Sequence, residues 1–406
     1  MTVDAALPPA AQAERQQSAA EVFLAFLKLG LTSFGGPIAH LGYFRAEFVE
    51  RRRWLSERAF VDLVALSQFL PGPASSQTGF AIGLMRGGYL GGLAAWVGFT
   101  TPSAILMVLF VYGAGSIAAT MPGAGLLHGL KLVAVAIVVQ AVLGMARSLC
   151  PDKPRASIAV LAIILMLIAP GTLGQIGAIV LGGMAGLTLC RGGPDALPDT
   201  VAMPVSRRVG VICLCLFSLL LALSFVPVRD GAAALFNAFY RSGALVFGGG
   251  HVVLPLLRDA VVVPGWISDN VFLTGYGAAQ AVPGPLFTFA AYLGAVASPV
   301  GGVAGAVIAL SAIFLPGVLV LMGTLPFWNE LRARPDAQAA MRGINAAVVG
   351  LLGAALYNPV WTSAVQSPAD FAIATAGFVL LVVWRAPPLL VVLLSAAAGI
   401  TLAMAT

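Results

Sequence analysis

The stretch WLSERAFVDLVALSQFLPGP (54–73) returns in the second half of the chain as WISDNVFLTGYGAAQAVPGP (266–285). Both copies start with tryptophan and end with Pro-Gly-Pro, at 71–73 and at 283–285. Self-similarity at a fixed spacing is the sequence signature of a duplicated architecture. The stretch therefore predicts that the chain is built from two copies of one unit.

The composition places both copies in a membrane. Hydrophobic residues make up 59% of the chain, charged residues make up 9%, and the mean hydropathy is +0.96. Soluble domains contain about 25% charged residues, so a soluble fold is excluded. Several apolar runs approach or exceed the roughly 17–25 residues with which a helix spans a bilayer, namely 88–116, 126–149, 208–226, 300–327 and 388–404. The predicted fold class is an all-α polytopic membrane protein.

A second pair of segments extends the duplication. GLTSFGGPIAHL (30–41) corresponds to GALVFGGGHVVL (243–254) at nearly the same offset. The predicted parts of the chain are a cytoplasmic tail (1–20), a first transmembrane repeat (21–190), a linker with one unpaired transmembrane helix (191–230) and a second transmembrane repeat (231–406).

Glycine and proline interrupt each copy at two places. In the first copy the interruptions are Gly35-Gly36-Pro37 and Pro71-Gly72-Pro73, and the segments beside them are too short to span a bilayer. We predict broken helices, with two re-entrant hairpins per repeat that have these sequences at their tips, followed by four full crossings. In the first repeat the crossings are expected near 88–116, 126–149, 156–170 and 172–190. The alternative is that Gly and Pro only kink ordinary spanning helices.

The unpaired helix at 208–226 predicts that the two repeats have inverted topology. Four crossings return the chain to its starting side, so one extra helix places the second repeat upside down. Many secondary transporters have this architecture and bind substrate between the repeats, near the midplane. Lys and Arg favour cytoplasmic loops. With a cytoplasmic N-terminus, only Arg229 of the 22 Lys and Arg residues falls in an external loop, and the C-terminus is external.

Three further features bound the function. The first 20 residues lack the basic start and apolar core of a signal peptide, so the first hydrophobic segment is expected to stay in the mature protein. The net charge of +6 is attributed to cytoplasmic loops, because no water-facing domain is predicted that would bind nucleic acid. Cys150, Cys190, Cys213 and Cys215 match no metal-binding motif, and structural thiols are favoured over a metal or redox site. No cofactor is predicted.

The helices that begin after the breaks are candidate anion sites, because the free N–H groups and the positive dipole end at a helix start bind anions. The richest start is Pro73-Ala74-Ser75-Ser76-Gln77, whereas the second copy keeps Thr288 as its main polar group, so we favour the first copy. Gln68 and Gln280 are expected either to donate to the anion or to cap freed carbonyls. The candidate substrate-binding residues are Gly35, Gly36, Pro37, Gln68, Pro71, Gly72, Pro73, Ser75, Ser76, Gln77, Gly249, Gly250, Gln280, Pro283, Gly284, Pro285 and Thr288.

Ionisable residues at membrane depth are functional candidates by default. Lys28 and Arg241 hold equivalent positions before the first break of each copy and join the candidate substrate-binding residues, with snorkelling to the interface as the alternative. The candidates for gating or coupling are Arg45, Asp62, His251 and Arg258. The alternatives are a lipid-facing role for the two arginines, a salt bridge from Asp62 to a base such as Lys28, and a neutral, packed His251.

The motifs carry a resemblance to a known family. FLKLGLTSFGGPIAHLGYFRAEFVERRRWLSERAFVDLVALSQFLPGPASSQTG (26–79) resembles the chromate ion transporter family. FGGGHVVLPLLRDAVVVPGW (247–266), followed by AAQAVPGPLFTFAAYLGA (278–295), resembles that family's long-chain form with two fused domains. The resemblance implies a multi-pass protein of the bacterial inner membrane that exports chromate with the membrane gradient and so confers chromate resistance.

Several alternatives stay open on the residues alone. Chromate and sulfate both present four oxygens and two negative charges, so helix N-termini suit either anion. A permease for sulfate or another oxyanion is one alternative, and an anion channel is another. An enzyme is not predicted, because His-Glu-x-x-His and other catalytic motifs are absent from the sequence. The expected partners are the oxyanion and the lipid bilayer, with a homodimer as an option.

Overall fold

The computed structural model describes residues 18–34, 36–118, 120–192, 205–228, 230–247, 252–298 and 300–405. Its regular elements are helices. The first half contains α1 (Ala19–Thr32), α2 (Gly36–Phe44), a π-helical turn (Arg45–Arg51), α3 (Glu57–Phe69), α4 (Ala74–Ala118), α5 (Met121–Leu149), α6 (Lys153–Ile168), α7 (Thr172–Leu189) and α8 (Arg207–Leu223). The second half contains α9 (Gly231–Ala244), α10 (Val253–Val261), α11 (Asp269–Ala281), a 3₁₀ turn (Leu286–Thr288), α12 (Phe289–Val296), α13 (Gly302–Thr324), a 3₁₀ turn (Leu325–Phe327), α14 (Trp328–Arg332), α15 (Pro335–Ala355), a π-helical turn (Leu356–Trp361), α16 (Thr362–Ala364), α17 (Pro368–Val382) and α18 (Pro388–Ala405).

The two halves correspond element by element. The helices α1, α2 and α3 match α9, α10 and α11 in order and length, and α5, α6 and α7 match α15, α17 and α18. Between them, α4 has non-helical dihedral angles at Gly87 and Gly88, so its two parts correspond to α12 and α13. Among the described residues, α8 is a long helix without a counterpart, and the short helices α14 and α16 occur in the second half alone. The predicted broken helices and the unpaired helix are therefore present in the fold.

A glycine contact folds each half-helix back onto the long helix that follows it. A side chain at Gly83 would collide with the carbonyl oxygen of Gly91 across the break at Gly87 and Gly88. In the second repeat, a side chain at Gly294 would collide in the same way with the carbonyl oxygen of Gly305. Because glycine has no Cβ, the two backbones approach closely and form a tight helical hairpin.

The last helices of each repeat pack on the other repeat. Helices α6 and α7 pack against α15, and α17 and α18 pack against α5. Glycines allow these close contacts, since Gly343 of α15 meets Gly182 and Gly186 of α7, and Gly129 of α5 meets Ser395 of α18. Small residues at such contacts are typical of helix packing in membranes. The two repeats therefore share one interleaved structure.

Polar contacts between residues near the helix ends show which of these ends lie together, and they define two ends of the molecule. The first end joins Trp328 to Asp62, Glu330 to Arg207 and Asp336 to Arg191. The second end joins Lys131 to Asn270, His128 to Asp370, Gln175 to Asp259 and Arg241 to Ser224. Helix α3 begins near the first end and its counterpart α11 begins at the second. Equivalent helices thus run in opposite directions, which is the inverted arrangement expected from the sequence.

Helix length separates two kinds of crossing. Among the described residues, four helical segments are long and apolar enough to cross a membrane, at 74–113, 121–149, 302–331 and 335–364. Helices α6, α7, α17 and α18 have 16, 18, 15 and 18 residues and span about 22–27 Å at roughly 1.5 Å per residue. They correspond to the crossings predicted near 156–170 and 172–190 and to the equivalent segments of the second repeat, and they are shorter than the four segments above. Large apolar side chains such as Leu173 and Ile168 are exposed, as expected for a surface that faces lipid.

Candidate functional site

The interrupted stretches of the two repeats meet through a reciprocal pair of backbone hydrogen bonds. The N–H of Gly72 donates to the carbonyl of Val246 at 2.7 Å, and the N–H of Gly284 donates to the carbonyl of Ser33 at 2.8 Å. Val246 and Ser33 hold equivalent positions just before the first break of their repeats. Each Pro-Gly-Pro tip therefore contacts the residue that lies two positions before the first break of the other repeat, and we call the region around these contacts the junction.

Glycine is required at both tips for two reasons. The φ angles of Gly72 and Gly284 are +121° and +97°, in the region that favours glycine. A Cβ on Gly72 would lie 3.0 Å from Cα of Gly317, and a Cβ on Gly284 would lie 2.7 Å from Oγ of Ser103. Ser103 and Gly317 are themselves equivalent residues, one after the proline inside α4 and α13. Each tip thus packs closely against the long helix of the opposite repeat.

The start of α4 brings buried polar side chains to this junction. Ser75, Ser76 and Gln77 are 3%, 6% and 1% exposed, and the first N–H groups of the helix have no intrahelical acceptor. The amide of Gln77 donates to the carbonyls of Pro71 at 2.9 Å and Gly317 at 3.0 Å. Both of its N–H donors are therefore used to join the first tip to the second repeat, so Gln77 holds the tip in place.

Buried polar atoms without a hydrogen-bond partner gather around this junction. They include Oγ of Ser33, Nε2 of His40, Oγ of Ser76, Oε1 of Gln77, Oγ1 of Thr100 and Nε2 of Gln280. An unsatisfied buried polar group costs about 1–3 kcal/mol. Such a concentration is typical of a place where a polar ligand supplies the missing partners.

The polar lining belongs almost entirely to the first repeat. The residues at the positions equivalent to Ser33, His40, Ser75, Gln77 and Thr100 are Val246, Val253, Phe287, Phe289 and Phe314. Thr288, the counterpart of Ser76, donates its hydroxyl to the Pro285 carbonyl at 2.8 Å, so this donor is already used. The start of α4 thus offers hydroxyl groups that the equivalent segment of the second repeat lacks or already uses.

Ser33 and Thr100 were missed by reasoning from single motifs. Neither lies in the Pro-Gly-Pro sequences, and Thr100 is more than 20 residues from the predicted tip at Pro71-Gly72-Pro73. A signal was nevertheless present, because in the aligned repeats both positions are polar in the first copy and apolar in the second. Comparing the chemistry of paired positions would have found them.

Arg45 and Arg258 form equivalent ion pairs away from the breaks. Arg45 contacts Glu57 at 2.7 Å and also pairs with Glu50, and Arg258 contacts Asp269 at 2.7 and 3.0 Å. Glu57 and Asp269 lie at the first turns of α3 and α11. Each arginine therefore ties the end of one half-helix to the start of the next, once at each end of the molecule.

Lys28 and Arg241, two of the candidate substrate-binding residues, each have a polar partner within the protein. Nζ of Lys28 lies 3.4 Å from Glu47, a 7% exposed carboxylate that also accepts from Arg51 at 2.7 Å and Arg52 at 2.6 Å. The partner of Lys28 is thus Glu47 and not the suggested Asp62. Arg241 donates to the carbonyl of Ser224 at 3.3 Å, and its guanidinium lies over the ring of Phe225.

The remaining candidates divide between described and undescribed residues. Asp62 accepts from Nε1 of Trp328 at 3.3 Å, at the first end of the molecule. Gln68 is exposed, whereas its counterpart Gln280 has its Nε2 buried. Pro73, Pro283 and Pro285 frame the two tips, and Gly36 opens α2 with a φ of +78°. Gly35, Gly249, Gly250 and His251 lie outside the described residues, as does the side chain of Pro37.

Cysteines and metal ligands add no further site within the described ranges. Cys150, Cys190, Cys213 and Cys215 are free thiols. No group of three or more His, Cys, Asp or Glu side chains among the described residues is placed to hold a metal ion.

Comparison with known proteins agrees with the duplication. The sequence profile of a family described as chromate transporter matches residues 20–187 and again residues 233–400. A chromate transport protein of Pseudomonas aeruginosa is 30% identical over 95% of this chain and 90% of its own length. A probable chromate transport protein of Synechococcus elongatus is 27% identical over 82% of each chain, and a chromate transport protein of Cupriavidus metallidurans is 24% identical over 86% and 84%. No solved structure matches.

Proposed function

The chain belongs to the chromate transporter family, and we propose that it is a secondary transporter that exports chromate from the cytoplasm through one anion site at the junction of the two Pro-Gly-Pro tips. Its fold, with two repeats and broken helices, is that of a membrane transporter. In this proposal the membrane gradient drives the export, and the export confers resistance to chromate.

The observation that carries the proposal is the reciprocal contact of each Pro-Gly-Pro tip with the opposite repeat, beside buried polar groups that have no partner. A tetrahedral dianion accepts many hydrogen bonds, and the start of α4 offers free N–H groups, a positive dipole end and the hydroxyls of Ser75 and Ser76. Ser33 and Thr100 add hydroxyls from the first break and from the second part of α4. Charge-assisted hydrogen bonds to an anion are about twice as strong as neutral ones, so this donor set suits an oxyanion.

The inequality of the repeats supports a single main site. Val246, Phe287 and Phe314 replace hydroxyl-bearing residues in the second repeat, so that half cannot offer an equal set of donors. It contributes backbone to the junction instead, through the Val246 carbonyl and Gly317. In the proposed transporter, the first repeat binds the anion and the second repeat holds and gates it.

The ion pairs at the two ends support alternating access. The Glu47 cluster and the Arg45–Glu57 pair lie in the first repeat, and the equivalent Arg258–Asp269 pair lies in the second. In inverted-repeat carriers, one repeat rocks against the other so that the site opens to each side in turn. We infer that these pairs stabilise the closed form of their own side.

The charge distribution supports the orientation of the fold in the cytoplasmic membrane. The first end carries most of the arginines that make described contacts, including Arg51, Arg52, Arg191, Arg207 and Arg342. Lys and Arg accumulate on the cytoplasmic side of membrane proteins. The first end, and with it the N-terminal side of α1, is therefore assigned to the cytoplasm.

Transport into inside-out membrane vesicles tests the function. We expect chromate accumulation that depends on an imposed membrane gradient, saturates with chromate concentration and shows counter-transport. Sulfate, molybdate and phosphate as competitors measure selectivity, and preferred transport of sulfate would change the assigned substrate. Non-saturating flux would indicate a channel, and failure to accumulate chromate under every gradient would refute the exporter.

A further inference from the structure

His40 is a buried imidazole in the middle of the proposed site that the donor set above does not use. It lies in α2 and is 1% exposed. Its Nδ1 lies 3.5 Å from Oγ of Ser75, and the backbone of Ser33 lies beside the ring. Its ring packs edge-on against Phe99 at 5.3 Å between centroids, and its Nε2 has no partner. His40 thus contacts the first break and the start of α4 at once.

The charged groups on the surrounding elements are engaged with other partners. Lys28 on α1 pairs with Glu47, and Arg45 after α2 pairs with Glu50 and Glu57. Arg86 on α4 lies with its guanidinium over Trp54. No carboxylate among the described residues pairs with the imidazole of His40. A negative charge next to a protonated His40 would therefore have to come from a bound anion.

We propose that His40 takes up a proton when the oxyanion binds, so that one proton accompanies the anion into its site. This inference rests on the proposed function. In the empty, buried site the neutral imidazole is favoured, because an unpaired charge in low dielectric is costly. A bound dianion turns the imidazolium into an ion pair with a charge-assisted hydrogen bond. The proton comes from water, is held at Nε2 and leaves when the anion leaves.

Linkage fixes the sign of the pH effect. If anion binding favours protonation, protonation favours anion binding by the same factor, so the affinity for the anion rises as the pH falls. The second repeat has Val253 at the position of His40, so the expected stoichiometry is a single proton per chain.

Titration calorimetry on the purified full-length protein can count this proton. Chromate is added at a mildly alkaline pH, where the free anion is the dianion, in buffers of different ionisation enthalpy. The dependence of the observed heat on the buffer gives the number of protons taken up per anion. We expect about one proton for the natural sequence.

Histidine variants assign the proton to its residue. His40→Gln should abolish the proton uptake and the rise of affinity at lower pH, and His40→Asn serves as a second variant should the first fail to fold. His128→Gln is the matched control, because His128 lies at the second end, 2.6 Å from Asp370, and should keep the uptake. Binding without proton uptake in the natural protein, or uptake that survives both His40 variants, would overturn the inference alone. Absence of any chromate binding would overturn the proposed function as well.

Discussion

Ser76 offers a direct test of the anion site at the scale of one residue. Its hydroxyl is buried and unpartnered at the start of α4. Ser76→Ala should weaken chromate binding by on the order of 1.5–3 kcal/mol, or about 10- to 150-fold, because a donor to a buried charge is lost. Ser76→Asp should nearly abolish binding, because it places a like charge beside the anion. Calorimetry at fixed ionic strength measures both.

Thr288→Asp is the matched control, since Thr288 is the residue equivalent to Ser76 and is 2% exposed. An aspartate at either position therefore buries a carboxylate at a similar cost in folding free energy. It should be milder than Ser76→Asp, because the Thr288 hydroxyl is bonded to its own helix start. Natural affinity in a well-folded Ser76→Asp protein would move the site away from this helix.

Residue types predicted part of the candidate site, and tertiary contacts decide the rest. The Ser75-Ser76-Gln77 start could be found from the sequence, because proline and hydroxyls after a break mark a helix N-terminus. Gln77 donates its two N–H groups to two carbonyls, and one of these carbonyls belongs to Gly317, which is 240 residues away in the sequence. The ion pair of Lys28 with Glu47 depends likewise on how the chain turns back after the first break. Spacing alone carries no information on either contact.

At the scale of the element, the close glycine contact in the α4 hairpin predicts that alanine substitutions at two different glycines change the thermal unfolding temperature differently. Gly83→Ala places a methyl group against the Gly91 carbonyl and 2.7 Å from Cβ of Ala95. Overpacking of this kind typically costs about 1–3 kcal/mol, so the thermal unfolding temperature in detergent should fall.

Gly144→Ala is the control, because a Cβ there meets nothing within 4 Å in helix α5. It should leave the unfolding temperature unchanged or raise it, since alanine favours helix over glycine by about 1 kcal/mol. Equal unfolding temperatures for the two variants would show that the hairpin of α4 does not depend on the close approach of its backbones.

The same elements show what the sequence predicts well. Gly and Pro break helices for local reasons, so the gap between α3 and α4 lies at the predicted Pro71-Gly72-Pro73 tip, and the break at Gly87 and Gly88 lies where the crossing predicted near 88–116 begins. The sequence did not predict that α6 and α7 pack on the second repeat while α17 and α18 pack on the first. It is decided by small residues such as Gly182 and Gly343 facing each other across the repeats, a pairing that an apolar run does not encode.

At the scale of the whole molecule, inversion follows from which loops share an end. Arg342 donates to the carbonyls of Cys190 and Gly192, which joins the close of the first repeat to the start of α15. Gly125 of α5 meets Gly399 of α18, which places the C-terminal helix at the second end. The duplication and the odd helix α8 predicted this inversion from the sequence, because counting crossings requires only the order of the apolar runs. The side of the membrane that each end faces rests on charge alone.

Cysteine labelling can test that assignment in intact cells. The four native cysteines are free, so they can be replaced without breaking a disulfide. Single cysteines are then introduced as Val263→Cys and Met404→Cys at the second end, where both side chains are more than 60% exposed, and as Ala333→Cys at the first. A membrane-impermeant maleimide should label positions 263 and 404 from outside and position 333 only after permeabilisation. Ala333→Cys serves as the internal control for intact cells.

If position 263 reacts from outside while position 404 reacts only from the cytoplasm, the two ends are assigned wrongly and the inverted topology cannot hold. If all three positions exchange their behaviour, the repeats are inverted but the N-terminus is external, and arginine-rich loops would then face the outside against the usual charge rule.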